Sequence, residues 1–214
     1  MSALTYYNGL VAGILPLLPQ GPRLGVIGGS ALADSRSQAF CEAMGRRLAS
    51  YEGMVLLTGG VSGVGEAVSA GFIEACAALG KKPVICHILP EGLKSRSRGI
   101  TLNAGTTMKE RREVLGRLSS VFLAIEGAAG TTHEIRIAAG LGAVVVTVGA
   151  FGGAAAHAHR GQRCPKGVNP LDWDRIANPV LGSDTILDAC DRILRALLYH
   201  RHIMGADAGP PAPI

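Results

Sequence analysis

Two charged residues stand where helical periodicity asks for hydrocarbon, and together they have the chemistry of an acid–base pair. At about 100° per residue, Met108, Val114, Leu115 and Leu118 share one helix face, with Arg111 near its middle. The same construction on the run from Thr131 gathers Ile135, Ile137, Ala138 and Leu141 around Glu134. A charge taken out of water is costly unless it is paired, so opposite charges on the inward faces of helices flanking one strand make either a structural salt bridge or a shared site. Glu66 is the control: it lies opposite Val64, Val68, Phe72 and Leu79 on its own helix and reads as a solvated surface acid. What favours a site is the turn Gly127 to Gly130, between the apolar run Val121–Ile125 and the second helix. Free backbone N–H groups and the helix dipole favour an anion at such a turn.

The elements that must position this pair follow from the rest of the chain. Leu24 to Ser30 is an apolar run ending in glycines, expected to be a buried strand that turns sharply into a helix over residues 35–51. Met54–Leu57 is a second strand, closed by the glycine-rich stretch from Thr58 to Gly65 and an alanine-rich helix to about residue 79. That stretch has the logic of a Rossmann turn without its GxGxxG spacing. Pro83–Leu89 and Ile100–Asn103 are expected strands, with the basic loop of Lys94, Arg96 and Arg98 between them. Beyond the central stretch come a strand over 143–148, the turn Phe151-Gly152-Gly153 into another alanine-rich helix, an irregular surface loop over 161–179 holding Trp173, and a final helix over 186–198. Apolar β runs separated by helices predict an α/β fold, a Rossmann-like doubly wound parallel sheet with helices on both faces. Ligands of such sheets lie beyond the strands' C-terminal ends. Gly28-Gly29, Gly59-Gly60, Pro90 and Gly127 to Gly130 all close expected strands and should converge on one crevice, with Gly29, Ser30, Gly59, Gly60, Gly127 and Gly130 as candidate ligand-binding residues.

Composition bounds the function. At 214 residues, 48% hydrophobic and 17% charged, the chain can bury a sizeable core. Residues 1–22 read as an N-terminal arm, 23–200 as one nucleotide-binding domain, and 201–214 as a disordered tail. The net charge of +5 suits an anionic small ligand. Aromatics at 4% argue against stacking platforms for single-stranded nucleic acid, and no helix-turn-helix or zinc-finger spacing points to duplex DNA. Five scattered cysteines without a CxxC pair fit reduced thiols in a cytoplasmic protein, with no zinc cage. His157 and His159 are two apart, share no helix face and lack a third ligand, so no metal is expected. The apolar segment from Leu10 to Leu18 is too short to span a membrane and lacks a basic leader.

The order of motifs resembles the LONELY GUY family of cytokinin-activating phosphoribohydrolases, formerly labelled possible lysine decarboxylases, and the related molybdenum-cofactor carrier proteins. The likeness runs from about Leu24 to Val148. The family's MxERK is similar to Met108-Lys109-Glu110-Arg111-Arg112, and its PGGxGTxxE to the stretch from Glu126 to Glu134; in both, arginine and glutamate stand 23 positions apart (134 − 111). The resemblance implies that Arg111 and Glu134 act at the N-glycosidic bond of a nucleoside 5′-monophosphate. Gly130, Thr131 and neighbouring amides would hold the phosphate, with Met108, Arg112 and Thr132 also in the ligand-binding motifs. It implies no metal or organic cofactor, a homodimer or higher homo-oligomer, and either hydrolysis or ligand carriage, since carriers keep a comparable arginine and glutamate. Arg111 is expected to lower the pKa of Glu134 and keep it ionised. Two positions depart from the pattern: Glu126 replaces the family's proline and Ala128 its second glycine, bringing a negative charge and a methyl group to the phosphate turn.

Overall fold

The computed structural model describes residues 3–203. An amphipathic helix, α1 (Ala3–Ile14), and a short 3₁₀ turn, Leu15–Leu17, precede the first strand. The chain then alternates β1 (Arg23–Gly28), α2 (Ser37–Leu48), β2 (Val55–Thr58), α3 (Val64–Ala78), β3 (Val84–Leu89), β4 (Ile100–Asn103), α4 (Met108–Leu115), β5 (Val121–Ile125), α5 (Ala129–Gly140) and β6 (Val144–Val148). After a second 3₁₀ turn, Gly149–Phe151, it closes with α6 (Gly153–Gly161), α7 (Pro170–Arg175) and α8 (Ser183–Ile203). The six strands form one all-parallel sheet in the order β4-β3-β2-β1-β5-β6.

Strand alternation divides the core into two layers. Leu24, Leu56 and Leu123 face Phe40 and Met44 of α2, Phe72 of α3, and Ile186, Ile193 and Leu194 of α8. Leu57, Ile88, Phe122 and Ala124 face the other way, onto Val114 and Leu115 of α4, Ile135 and Ala138 of α5, and Val11 and Ile14 of α1. Both faces are therefore covered, as near-continuous apolar strands require. The expected doubly wound Rossmann-like fold is the one present. Its strand order reverses between β1 and β5, so the crevice at their C-terminal ends is the topological switch point where such sheets bind ligands.

Several boundaries differ from expectation for local reasons. The α5 helix starts at Ala129, two residues before Thr131, because the turn consumes only Gly127 and Ala128. The final helix spans Ser183–Ile203 and so is longer at both ends than 186–198; the expected tail lies, from residue 204, outside the described residues. The stretch 161–179 is not an irregular surface loop. Asn169 Oδ1 accepts from the amide of Leu171 (2.9 Å), Pro170 opens α7, and Trp173 is buried with its ring stacked on His159 (centroids 4.5 Å). The Asn-Pro pair is thus an N-cap followed by a proline in the first turn, where proline's missing N–H costs nothing. Glu66 is exposed, as the sequence implies.

Candidate functional site

A capping box fixes the helix that carries Arg111. Thr107 Oγ1 accepts from the Glu110 amide (3.2 Å) while Glu110 Oε2 accepts from the amides of Thr106 (2.7 Å) and Thr107 (3.0 Å). This satisfies orphan amides at the start of α4 and sets its register. One turn further on, Arg111 points into the molecule, where Nη1 donates to Glu134 Oε1 and Nη2 donates to the carbonyl of Gly59 (3.1 Å). Both partners of the ion pair are buried. Arg111 Nε is buried without a hydrogen-bond partner among the described residues. A Cβ on residue 59 would overlap the Arg111 guanidinium, so glycine is what lets the arginine lie across the end of β2.

Burial sets the protonation chemistry of the pair. Desolvation pushes the Glu134 carboxyl above its ordinary range, with Arg111 pulling against that shift. Desolvation likewise lowers Arg111, opposed by Glu134. The expectation that Arg111 would leave Glu134 with a lowered pKa is therefore corrected. Arg111 is itself out of water, and its attraction does not offset the cost of a carboxylate there. A carboxyl raised in this way is better suited to taking up a proton than an ordinary surface acid.

The pair borders a cavity of about 610 Å³ at the switch point. Arg111, Glu134 and Met108 line it from α4 and α5; Gly29 and Ser30 from the end of β1; Gly127, Gly130, Thr131 and Arg112 from the β5–α5 turn and its neighbour. The Arg112 guanidinium lies against the first turn of α5, 3.0 Å from where a Cβ on Gly130 would stand. Helix α5 has no side-chain cap at Ala128, so its first amides face this end of the cavity with the helix dipole behind them. Gly127 has φ +90°, which suits glycine, and its turn brings Thr131 beneath it. The hydroxyl of Thr131 donates to the carbonyl of Gly28 (2.9 Å), tying α5 to β1, so that hydroxyl proton is committed. Gly59 lies beneath the cavity, in contact with Arg111. Gly60 and Thr132 do not line it: Gly60 packs on Leu89 and His87, and exposed Thr132 donates to its own turn at Ala128 O (3.3 Å).

Two features escape sequence reasoning. The carboxylate of Glu126 does not lie loose at the phosphate turn. It is buried and accepts from the amides of Ala33 (2.8 Å) and Asp34 (2.9 Å) and from the hydroxyl of Ser37, reaching across the crevice from β5 to the β1–α2 loop. The other feature is His87, which bonds Thr58 Oγ1 through Nδ1 (2.8 Å) and the carbonyl of Arg98 through Nε2 (3.3 Å). Thr58 Oγ1 in turn accepts from the amide of Gly60 (3.0 Å). With Thr58 donating to Nδ1 and Nε2–H donating to Arg98, a neutral ring satisfies both contacts, and burial lowers its pKa accordingly. The glycine turn after β2 and the basic loop are thereby tied together. The sequence hint was a lone histidine inside an apolar strand.

The crystal structure of the protein TM1055 is 28% identical and superposes with a TM-score of 0.58, over 68% of this chain and 87% of that one. The molybdenum cofactor binding protein from the phototrophic bacterium Rippkaea orientalis is 28% identical over 59% of this chain and 75% of that one, with a TM-score of 0.51. DNA processing protein A from Streptococcus pneumoniae, 13% identical over 69% of this chain and 58% of that one (TM-score 0.50), shares the fold alone. No curated protein matches the chain in sequence. The SLOG cluster4 family model matches residues 22–166, which is more than half of the chain and contains the cavity's β1, β5 and α5 walls, and the chain belongs to that family.

Proposed function

We propose that the chain hydrolyses the N-glycosidic bond of a nucleoside 5′-monophosphate, releasing free base and ribose 5-phosphate. One observation carries this: a buried carboxyl with raised proton affinity, Glu134, is aimed by Arg111 into a cavity that an uncapped helix N-terminus also enters. The phosphate would sit on the first amides of α5 beside Arg112, placing the ribose over the ion pair. With Oε1 held by Arg111, the second oxygen of Glu134 takes a proton from water as the hydroxyl adds to C1′. The C1′–N bond breaks, its electron pair stays on the base, and the proton that Glu134 took from water passes to the base nitrogen, which returns the carboxylate to its starting state. Positive charge developing on the sugar is stabilised by the same carboxylate.

A second reading has its own support. The 28% identity to a protein described as binding the molybdenum cofactor favours a non-catalytic carrier of a phosphate-bearing ligand. One experiment separates the two: release of base and ribose 5-phosphate from a panel of nucleoside monophosphates, AMP included, by the wild type and Glu134→Gln. Hydrolysis requires release by the wild type and a fall of about 100-fold or more in the variant. A folded wild type that releases nothing from any member sinks the hydrolase, and ligand binding unchanged by Glu134→Gln then favours the carrier.

A further inference from the structure

Folds of this type seat a pyrophosphate on the helix that follows the first strand, at the switch point, because the amides there have no partners within the helix. In this chain that position is the loop from Gly29 into α2. Its amides at Ala33 and Asp34, with the hydroxyl of Ser37, are already taken by the Glu126 carboxylate from the far side of the crevice. Glu126 is also the only non-glycine residue with positive φ among the described residues (+51°), so the backbone at the end of β5 turns left-handed at the residue that delivers this side chain. A second carboxylate, Asp34, stands beside it, held by Arg36 Nε (3.0 Å) and Nη2 (2.8 Å). An incoming phosphate would find the Ala33 and Asp34 amides and the Ser37 hydroxyl already bonded and the Glu126 carboxylate in its place, with Asp34 neutralised by Arg36 beside it. At α5, only one turn of chain away, no side chain caps the helix.

We propose that Glu126 is a built-in anion that closes the pyrophosphate seat of the fold, so that the site selects ligands with a single phosphate monoester and rejects dinucleotides and other pyrophosphates. The selection of a monoester rests on the proposed phosphate seat at α5; the closed seat at α2 does not. The test is calorimetric titration of the wild type, Glu126→Gly and Glu126→Gln with ribose 5-phosphate, AMP, ADP-ribose and inorganic pyrophosphate, with folding followed by circular dichroism. The wild type should bind AMP at least about tenfold more tightly than ADP-ribose. Glu126→Gly, which suits the left-handed backbone and removes the carboxylate, should tighten ADP-ribose and pyrophosphate by about tenfold or more and leave AMP within about threefold. Glu126→Gln keeps the shape without the charge and should gain part of that. A wild type that holds ADP-ribose as tightly as AMP overturns the proposal, as does a folded Glu126→Gly that gains no pyrophosphate. Pyrophosphate gained by Glu126→Gly when neither form binds AMP or ribose 5-phosphate would sink the α5 seat while leaving the plug at α2 in place. Should Glu126→Gly not fold, the wild-type preference and the Glu126→Gln gain decide, and absence of both overturns the idea.

Discussion

Two of the carboxylates that the molecule buries in ion pairs with arginine, Glu134 beneath the cavity and Asp172 in α7, are treated oppositely. Asp172 accepts from Arg192 Nη2 (2.7 Å) and Nε (2.9 Å) and from Arg175 Nη1 (3.0 Å). Those arginine side chains are 51% and 44% exposed, so the positive charge that serves Asp172 is itself hydrated. Hydrogen bonds from Arg192, ahead of the opposing cost of burial, hold Asp172 below the usual carboxylate range. The Arg111 side chain is only 4% exposed and Glu134 8%. Both charges of that pair have left water, and Glu134 is raised. The balance between the acid's own loss of water and the hydrogen bonds its arginines supply decides whether a buried acid is pinned as an anion or left ready to take a proton. The first arrangement is what a structural tie needs, the second what a base needs.

The largest expected difference between the two is in turnover. Glu134→Gln should lower base release by about 100-fold or more with the fold intact, whereas Asp172→Asn should leave release within about twofold and cost about 1–3 kcal/mol of stability. Equal effects on release would erase the distinction. Next comes the cost of removing the arginine. Arg111→Met strands a buried carboxylate and should destabilise by about 3–5 kcal/mol in urea unfolding, part of it recovered in the double variant with Glu134→Gln. Arg192→Met leaves Asp172 with Arg175 and should cost about 1 kcal/mol. A loss for Arg192→Met as large as that for Arg111→Met would show that Asp172 leans on its arginine as heavily as Glu134 does.

How much of this was legible beforehand depends on whether the cause was local. A charge in the middle of an apolar helix face is a local anomaly, and it brings out both Arg111 and Glu134, while the apolar runs between the helices bring out the sheet. The sign of the Glu134 shift was not local. It depends on how far Glu134 itself is taken out of water when α5 packs against α4 and the sheet, which no single helix reveals. Glu126 was visible only as a misplaced charge, since its partners lie 89 to 93 residues away across the β1–β5 crevice. Helix α7 is too short at six residues for periodicity to reveal it, and Trp173 is buried by a ring stacked from α6.

A smaller effect sharpens the comparison from the backbone side. Gly59→Ala puts a methyl group where the Arg111 guanidinium lies, so the arginine or the β2 turn must shift, at about 1–3 kcal/mol. Arg111 that has moved holds Glu134 less well, so base release should fall along with stability. Loss of stability with release unchanged would mean that the pair tolerates displacement.

The smallest effect is in the pH dependence of stability, where the two acids should bend the curve in opposite directions. Asp172 binds its proton less tightly in the folded state than in the unfolded chain. Its contribution is therefore present above about pH 4 and is lost as pH falls through its lowered folded value. Glu134 binds its proton more tightly when folded. Above about pH 4 the unfolded chain gives up that proton first, and stability falls as pH rises, until the folded carboxyl has ionised as well. Urea unfolding from about pH 3 to pH 8 should give a difference between wild type and Asp172→Asn that grows with pH, and a difference between wild type and Glu134→Gln that shrinks with pH. If both differences grow, Glu134 is pinned as an anion like Asp172, and its claim to act as a base is lost with its raised proton affinity.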